Sequence, residues 1–252
     1  MTCGIVSISY PFYLSSETKD LNGYNNSYCG YPGMAIECDD DKPMLQLDGH
    51  KYMVKNISYG NDSYGNVSLA DPVVLEDTSS CPKVDHNVTI LLPSWLYFPA
   101  MSVDFLVFFL DCSFTPPMEP PDIYQYQLTC GSLGARLSFV LPKDKVPDYN
   151  RYYGNLSQVC SKIIEVPVLS YTDNSSEDSA WRSDEYGRVL RQGFQLAWNE
   201  SRRLANCTQC EQSYGRCGYN QEGEFIGCLC PDGRVHSRNC SDSGDSSLKR
   251  KH

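Results

Sequence analysis

Cys3-Gly4-Ile5-Val6-Ser7-Ile8-Ser9-Tyr10-Pro11-Phe12, followed by Cys29-Gly30-Tyr31-Pro32-Gly33-Met34-Ala35-Ile36-Glu37-Cys38, is the stretch from which the fold is read. Ile5 to Tyr10 alternates apolar and polar residues, the pattern of a short strand, and Pro11, which cannot donate to a ladder, closes it. Cys29-Gly30 and Pro32-Gly33 supply the corners of a tight turn, one through positive φ and one through fixed φ. Met34 to Cys38 reads as a second strand ending in a thiol. Two strands pinned near their ends by cysteines make a small clip, and the chain is expected to be mainly β with two small disulfide-rich modules.

Working outward, the 252 residues are 41% hydrophobic, enough to build real cores and too many for a disordered chain. The thirteen cysteines, Cys3, Cys29, Cys38, Cys81, Cys112, Cys130, Cys160, Cys207, Cys210, Cys217, Cys228, Cys230 and Cys240, read as a disulfide scaffold in an oxidising compartment, with one left unpaired because the number is odd. Sequons point the same way. N-x-S/T begins at Asn25, Asn56, Asn61, Asn66, Asn87, Asn155, Asn174 and Asn199, and also at Asn206 and Asn239, where an adjacent cysteine lets disulfide formation compete with glycan addition. Ten of fourteen asparagines in sequons fits a chain that meets the glycosylation machinery.

The longest apolar run, Phe105 to Leu110, is six residues, against about 20 for a membrane-crossing helix, so no membrane span is expected. It reads instead as a strand buried on both faces at the centre of the first core. Met1-Thr2-Cys3 lacks a basic start followed by an apolar stretch, so the expectation is a truncated chain or a numbering that begins after a leader. Alternation marks further strands at Met44 to Leu47, Tyr52 to Val54, Ile57 to Tyr59, Val67 to Leu69, Tyr124 to Cys130, Arg136 to Leu141, Ile163 to Leu169 and Val189 to Trp198, with Asp48-Gly49 as a hairpin turn. Four prolines within residues 113–121 mark a linker. The expected organisation is therefore a first domain over 1–113, a linker over 114–123, a second domain over 124–240 and a polar tail over 241–252. Cys112 and Cys130 flank the linker and are placed to close it as a loop.

CG, then YPF, then CGxPxxxxxC resembles the galacturonan-binding domain of plant wall-associated and leaf-rust-resistance-type receptor-like kinases. The cluster Cys207-x2-Cys210-x6-Cys217-x10-Cys228-x-Cys230-x9-Cys240, with Pro231-Asp232-Gly233 after the C-x-C, resembles the C-terminal domain of the same family and ends like an EGF module. That family usually carries one more cysteine shortly before the CG, which accounts for the odd thiol. The resemblance implies an extracellular or cell-surface ectodomain that binds a pectin-like cell-wall polysaccharide and signals through a kinase, or a truncated or secreted relative of one. A competing reading is an ectodomain for a peptide or co-receptor without carbohydrate affinity.

No nucleophile, metal or nucleotide motif appears, so neither enzyme activity, nor a cofactor or metal, nor a nucleic-acid partner is expected. Zinc is the rival reading of Cys207-x2-Cys210, and calcium that of Asp39-Asp40-Asp41, which otherwise reads as a solvated turn. Charge opposes the polysaccharide reading: residues 1–130 hold 5 basic against 16 acidic side chains, and the implied ligand is itself a polyanion. Binding would then rest on a local cluster such as Lys42, Lys51 and Lys55, or on rings such as Tyr10, Phe12 and Tyr31 that stack on sugars.

Overall fold

A computed structural model describes all residues except 22, 61–63, 80, 92–93, 114–122, 129–136, 171–185, 200–204 and 241–252. It is mainly β, as the alternation implies, and divides into two compact units that interleave along the sequence. The first contains residues 1–46, 93–95 and 199–252; the second contains 47–92 and 96–198. The stretch expected as a proline-rich linker, residues 114–122, lies outside those described.

The first unit opens with a tight hairpin, β1 (Thr2–Cys3) against β2 (Val6–Ser7). Ile5, expected in the strand, is at its tip and 98% exposed, while Ile8 beyond it is fully buried. The strand is shorter than the alternation suggests because Gly4 turns the chain at φ 54°. Next come β3 (Tyr13–Leu14), β4 (Lys19–Leu21), β5 (Tyr24–Cys29), β6 (Ala35–Asp39) and β7 (Lys42–Leu47). β6 pairs parallel with β3 and antiparallel with β7, and the Cys3–Cys38 disulfide ties the hairpin to β6. Asp40 and Asp41 form the two-residue turn between β6 and β7, both at positive φ, so the acidic triplet is an exposed turn. Gly30 serves a different purpose from the one its sequence context suggests. Gly33 takes the positive φ, 81°, whereas a Cβ on Gly30 would fall 2.3 Å from the Tyr13 ring and 2.6 Å from the Pro11 carbonyl.

The second unit opens at Leu47 with the Asp48-Gly49 turn, where both residues have positive φ, as a type I′ hairpin requires. β8 (His50–Ser58) pairs with β9 (Tyr64–Ala70), with a bulge between Val54 and Asn56. Asp71 then caps α1 (Pro72–Glu76), its Oδ1 accepting from the Val73 N–H at 2.8 Å. β10 (Leu96–Tyr97) is an edge strand, and β11 (Val103–Cys112) is the long apolar strand. It lies between β12 (Leu137–Pro142) and β13 (Cys160–Leu169), as its two-sided apolar sequence demands. Leu106 and Phe108 pack on one face with Val140, Ile164 and Val166; Val107 and Phe109 pack on the other with Phe139 and Leu141.

Two expected strands in this unit differ. Ile123–Tyr126 is a 3-10 turn, with only the bridge of Gln127 to Phe139 beyond it, because Ile123 and Tyr126 bury against the second face of the sheet. α2 (Val146–Tyr153) and α3 (Leu156–Val159) follow, and then α4 (Tyr186–Gln192) takes Val189 and Leu190 into a helix. Gly193, at φ 84°, ends that helix and starts β14 (Phe194–Asn199), which pairs with β10. Cys112 bonds to Cys160, its partner across β11 and β13, and not to Cys130, which lies outside the described residues.

The remaining part of the first unit is the terminal cysteine cluster: α5 (Ala205–Gln212), β15 (Arg216–Tyr219), β16 (Phe225–Leu229) and β17 (Val235–His236). Three disulfides, Cys207–Cys217, Cys210–Cys228 and Cys230–Cys240, take up the sulfurs that the zinc reading needed. β15 pairs with β5, Gly218 opposite Cys29 and Tyr219 opposite Tyr28, so the opening clip and the terminal cluster share a five-stranded sheet. No described helix is long and apolar enough to cross a membrane.

Candidate functional site

The first unit encloses a cavity of about 210 Å³ between the opening clip, β4, β5 and β15. Tyr10, Tyr13 and Tyr28 wall it, and Glu17, Lys19 and Arg216, all exposed, stand at it. The wall is rigid for local reasons. Tyr13 and Tyr28 stack at 4.4 Å and 11°, and Tyr28 stacks in turn on Tyr219 at 6.2 Å. Lys19 comes from β4 and Arg216 from β15, nearly two hundred residues apart, so only the β5–β15 pairing brings these cations to one place. Two cations beside one carboxylate leave a positive edge, which suits an anionic ligand.

Cys29 also lines the cavity and is the free cysteine among the described residues. Burial pushes its thiol pKa up, and the positive fields of Lys19 and Arg216 partly oppose this. The thiolate is the reactive form, so alkylation at pH 7 is expected to be slow and to accelerate as pH rises. Peptide mapping after labelling without reductant should place the adduct on Cys29. An adduct confined to other cysteines would show that the free thiol has been misassigned.

The sequence-derived ligand residues are dispersed. Phe12, 1% exposed, is core and lines the same cavity, and Tyr31, 2% exposed, is core away from it. Tyr31 stacks on Trp95 at 4.3 Å. Tyr10 reaches the cavity, but its hydroxyl donates to Glu211 Oε1 at 2.5 Å, and Tyr31 donates to the same oxygen at 2.7 Å. Glu211 is on α5, so two tyrosines of the clip are held by one carboxylate of the terminal cluster. Lys42 is exposed on β7 of the first unit; Lys51 and Lys55 are on β8 of the second. The Lys55 amine donates to the carbonyls of Arg191 and Gln192, at 3.2 and 3.0 Å, capping the end of α4. Two charged residues that sequence reasoning missed, Lys19 and Arg216, carry no local motif.

Of the sequons, Asn25, Asn56, Asn87 and Asn155 are exposed and Asn66 is half-buried; Asn61, Asn174 and the Asn199 side chain lie outside the described residues. Asn87 and Asn155 each accept a backbone N–H through Oδ1, from Glu165 and Ser157, and not through the nitrogen that a glycan would modify.

Buried tyrosines give the protein an alkaline limit. Burial raises the pKa of Tyr10, Tyr13 and Tyr52, and pushes Tyr186 up to about 12. A folded pKa above the unfolded value of about 10 means that stability is complete below pH 10 and is lost as pH climbs towards 12. A denaturation midpoint that holds constant from pH 9 to about 11 would contradict this.

Residues 1–71 match the family described as wall-associated receptor kinase galacturonan-binding, and residues 129–233 match that described as wall-associated receptor kinase C-terminal. The chain thus carries segments matching both of these wall-associated receptor kinase domains. In Arabidopsis thaliana it is similar to leaf rust 10 disease-resistance locus receptor-like protein kinase-like 1.2, at 32% identity over 96% of this chain and 33% of the relative. It is also similar to the like 2.1 and like 2.8 proteins of that series, at 24% and 23% identity over 86% and 89% of this chain, and 32% and 23% of the relatives. The chain spans a third or less of these relatives' length, and their kinase regions lie outside the matched part. No solved structure matches the chain.

Proposed function

We propose that this chain is a non-catalytic ectodomain that binds pectin-type polysaccharide outside the cell, through the cavity of the first unit. The observation that carries the reading is the meeting of Lys19 and Arg216 at a tyrosine-walled cavity, in a unit whose first segment matches a galacturonan-binding family. A uronate supplies the carboxylate for the cations. The acidic bulk of residues 1–130 makes long-range approach of a polyanion unfavourable, so recognition depends on this local positive patch. Signalling, in this reading, passes to a kinase of the kind the relatives are named for.

Retention on de-esterified pectin, with and without calcium and with glycosylated protein, tests the reading. Lys19→Gln and Arg216→Gln should each weaken retention about tenfold, for the loss of roughly 1.4 kcal/mol per charge-assisted contact. The wild type should also weaken as salt is raised, because both cations face solvent. No retention in either calcium condition, together with saturable binding to a basic peptide or co-receptor, would replace this reading with the protein-binding one.

A further inference from the structure

The terminal cysteine cluster contains side chains that the binding site does not use. Cys230 Sγ, a carboxylate oxygen of Asp232 and a ring nitrogen of His236 lie within 4.8 Å of one another. The backbone fixes them there. After β16 the Cys230 N–H donates to the Arg234 carbonyl at 2.9 Å, Asp232 Oδ1 accepts from the Arg234 N–H at 3.0 Å, and the β16–β17 register sets His236 opposite Cys228. Sulfur, imidazole and carboxylate are metal ligands in other settings, but this sulfur is already bonded to Cys240. What the group offers instead is an imidazole beside one end of a disulfide.

Among disulfides with both ends described, Cys112–Cys160, Cys207–Cys217 and Cys210–Cys228 are buried throughout, whereas Cys38 is exposed and Cys240 half-buried. Their partners Cys3 and Cys230 are 1% and 6% exposed, so solvent reaches each of these two bonds from one end. The surroundings of the two differ. Glu37, Asp39, Asp40 and Asp41, all exposed, flank Cys38, with Lys42 opposite Asp39. Carboxylates there repel both an incoming thiolate and the one that leaves. At Cys230 an imidazole can give its proton to the leaving sulfur, and the Arg234 guanidinium, 3.9 Å from Asp232, offsets the one nearby carboxylate of the group.

We propose that Cys230–Cys240 is a thiol-exchange site for a low-molecular-weight monothiol. The incoming thiolate attacks Cys240 Sγ, the end that solvent reaches. A new sulfur–sulfur bond forms to Cys240 as the Cys230–Cys240 bond breaks, and the electron pair of the broken bond leaves on Cys230, which takes a proton from the His236 imidazolium. The products are a mixed disulfide on Cys240 and a thiol at Cys230, with no net oxidation or reduction. The reverse step, with the His236 imidazole taking that proton back, expels the monothiol and restores the bond. Cys207–Cys217 and Cys210–Cys228 stay closed throughout, so α5, β15 and β16 remain stapled while the chain beyond β17 is untied.

The test uses the full glycosylated chain, folded, with 2-mercaptoethanol as an uncharged monothiol at neutral pH. Acid quenching, alkylation of free thiols and peptide mapping give the opening rate of each disulfide, with Cys29 alkylated throughout as background. The expected first product carries the adduct on Cys240 and the alkyl label on Cys230, and forms at least about fivefold faster than Cys3–Cys38 opens. A smaller ratio, or the adduct on Cys230 with the label on Cys240, overturns the proposal. His236→Gln should slow the opening of Cys230–Cys240 at least about fivefold and leave Cys3–Cys38 unchanged. A histidine that only packs β17 would give the opposite result, because loosening that strand exposes the bond and speeds its opening. A rate in His236→Gln that is unchanged or faster removes the imidazole from the step and overturns the exchange site, whatever the outcome for pectin.

Discussion

Phe109→Ala is expected to destabilise the second unit by about 3–5 kcal/mol, the largest effect of any single substitution considered for this chain. Phe109 is 2% exposed on β11, the middle strand of its sheet, facing Phe139, Leu141 and the helices that cover that side. A central strand has no free edge from which the sheet can close over a void, so the cavity left by the ring stays largely open and adds its own cost to the lost burial. Phe108→Ala, on the opposite face with a 1% exposed ring, should cost a similar amount, whereas Phe109→Leu keeps most of the volume and should cost far less. Chemical denaturation gives the value from the shift in midpoint at constant slope. Losses below about 1 kcal/mol for both alanine variants would mean that the strand is not packed on two faces.

Glu211→Ala should be the most damaging polar substitution, at about 3 kcal/mol in the first unit. The carboxylate accepts from two tyrosine hydroxyls, Tyr10 at 2.5 Å and Tyr31 at 2.7 Å, and hydrogen bonds to a charged group are worth about 1.5–3 kcal/mol each. Removing it leaves both hydroxyls without that acceptor, one of them on a residue only 2% exposed. Tyr10 also accepts from the Cys217 N–H, so the damage reaches the disulfide cluster. Tyr10→Phe should cost less than Glu211→Ala, because Tyr31 still serves the carboxylate. A double-mutant cycle between Glu211 and Tyr10 should give a coupling of at least about 1 kcal/mol; strict additivity would show that the contact carries no stability. Pectin retention by Glu211→Ala should fall in step with the folded fraction, since the change removes no cation.

Much of the architecture was legible. The two-sided apolar run of Phe105 to Leu110 specified a central strand, because a fully buried strand must be apolar at every position. Asp48-Gly49 and the acidic triplet declared turns through residues that tolerate positive φ. The family resemblance, carried by cysteines and glycines at fixed spacing, agreed with the matches over 1–71 and 129–233. Misreadings fell where tertiary context overrides local pattern. Val189 and Leu190 read as strand material yet lie in a helix that buries them, and Tyr124 to Tyr126 turns as a 3-10 segment because Ile123 and Tyr126 must reach the core.

The candidate site was the least legible part. Aromatic residues near the clip looked available for a ligand, but Phe12 and Tyr31 fill the interior, and a sequence does not say which rings a unit needs for its own packing. Alone, the sequence determined a β-rich, cysteine-stapled chain, the position of its longest buried strand and its family, since these follow from periodicity, backbone preference and spacing, all local properties. Only the tertiary structure decided which cysteines pair, how distant segments interleave into two units, and that Lys19 meets Arg216 beside Tyr28. Those facts depend on contacts between residues far apart in the chain, whose energy exists only once the strands between them have paired.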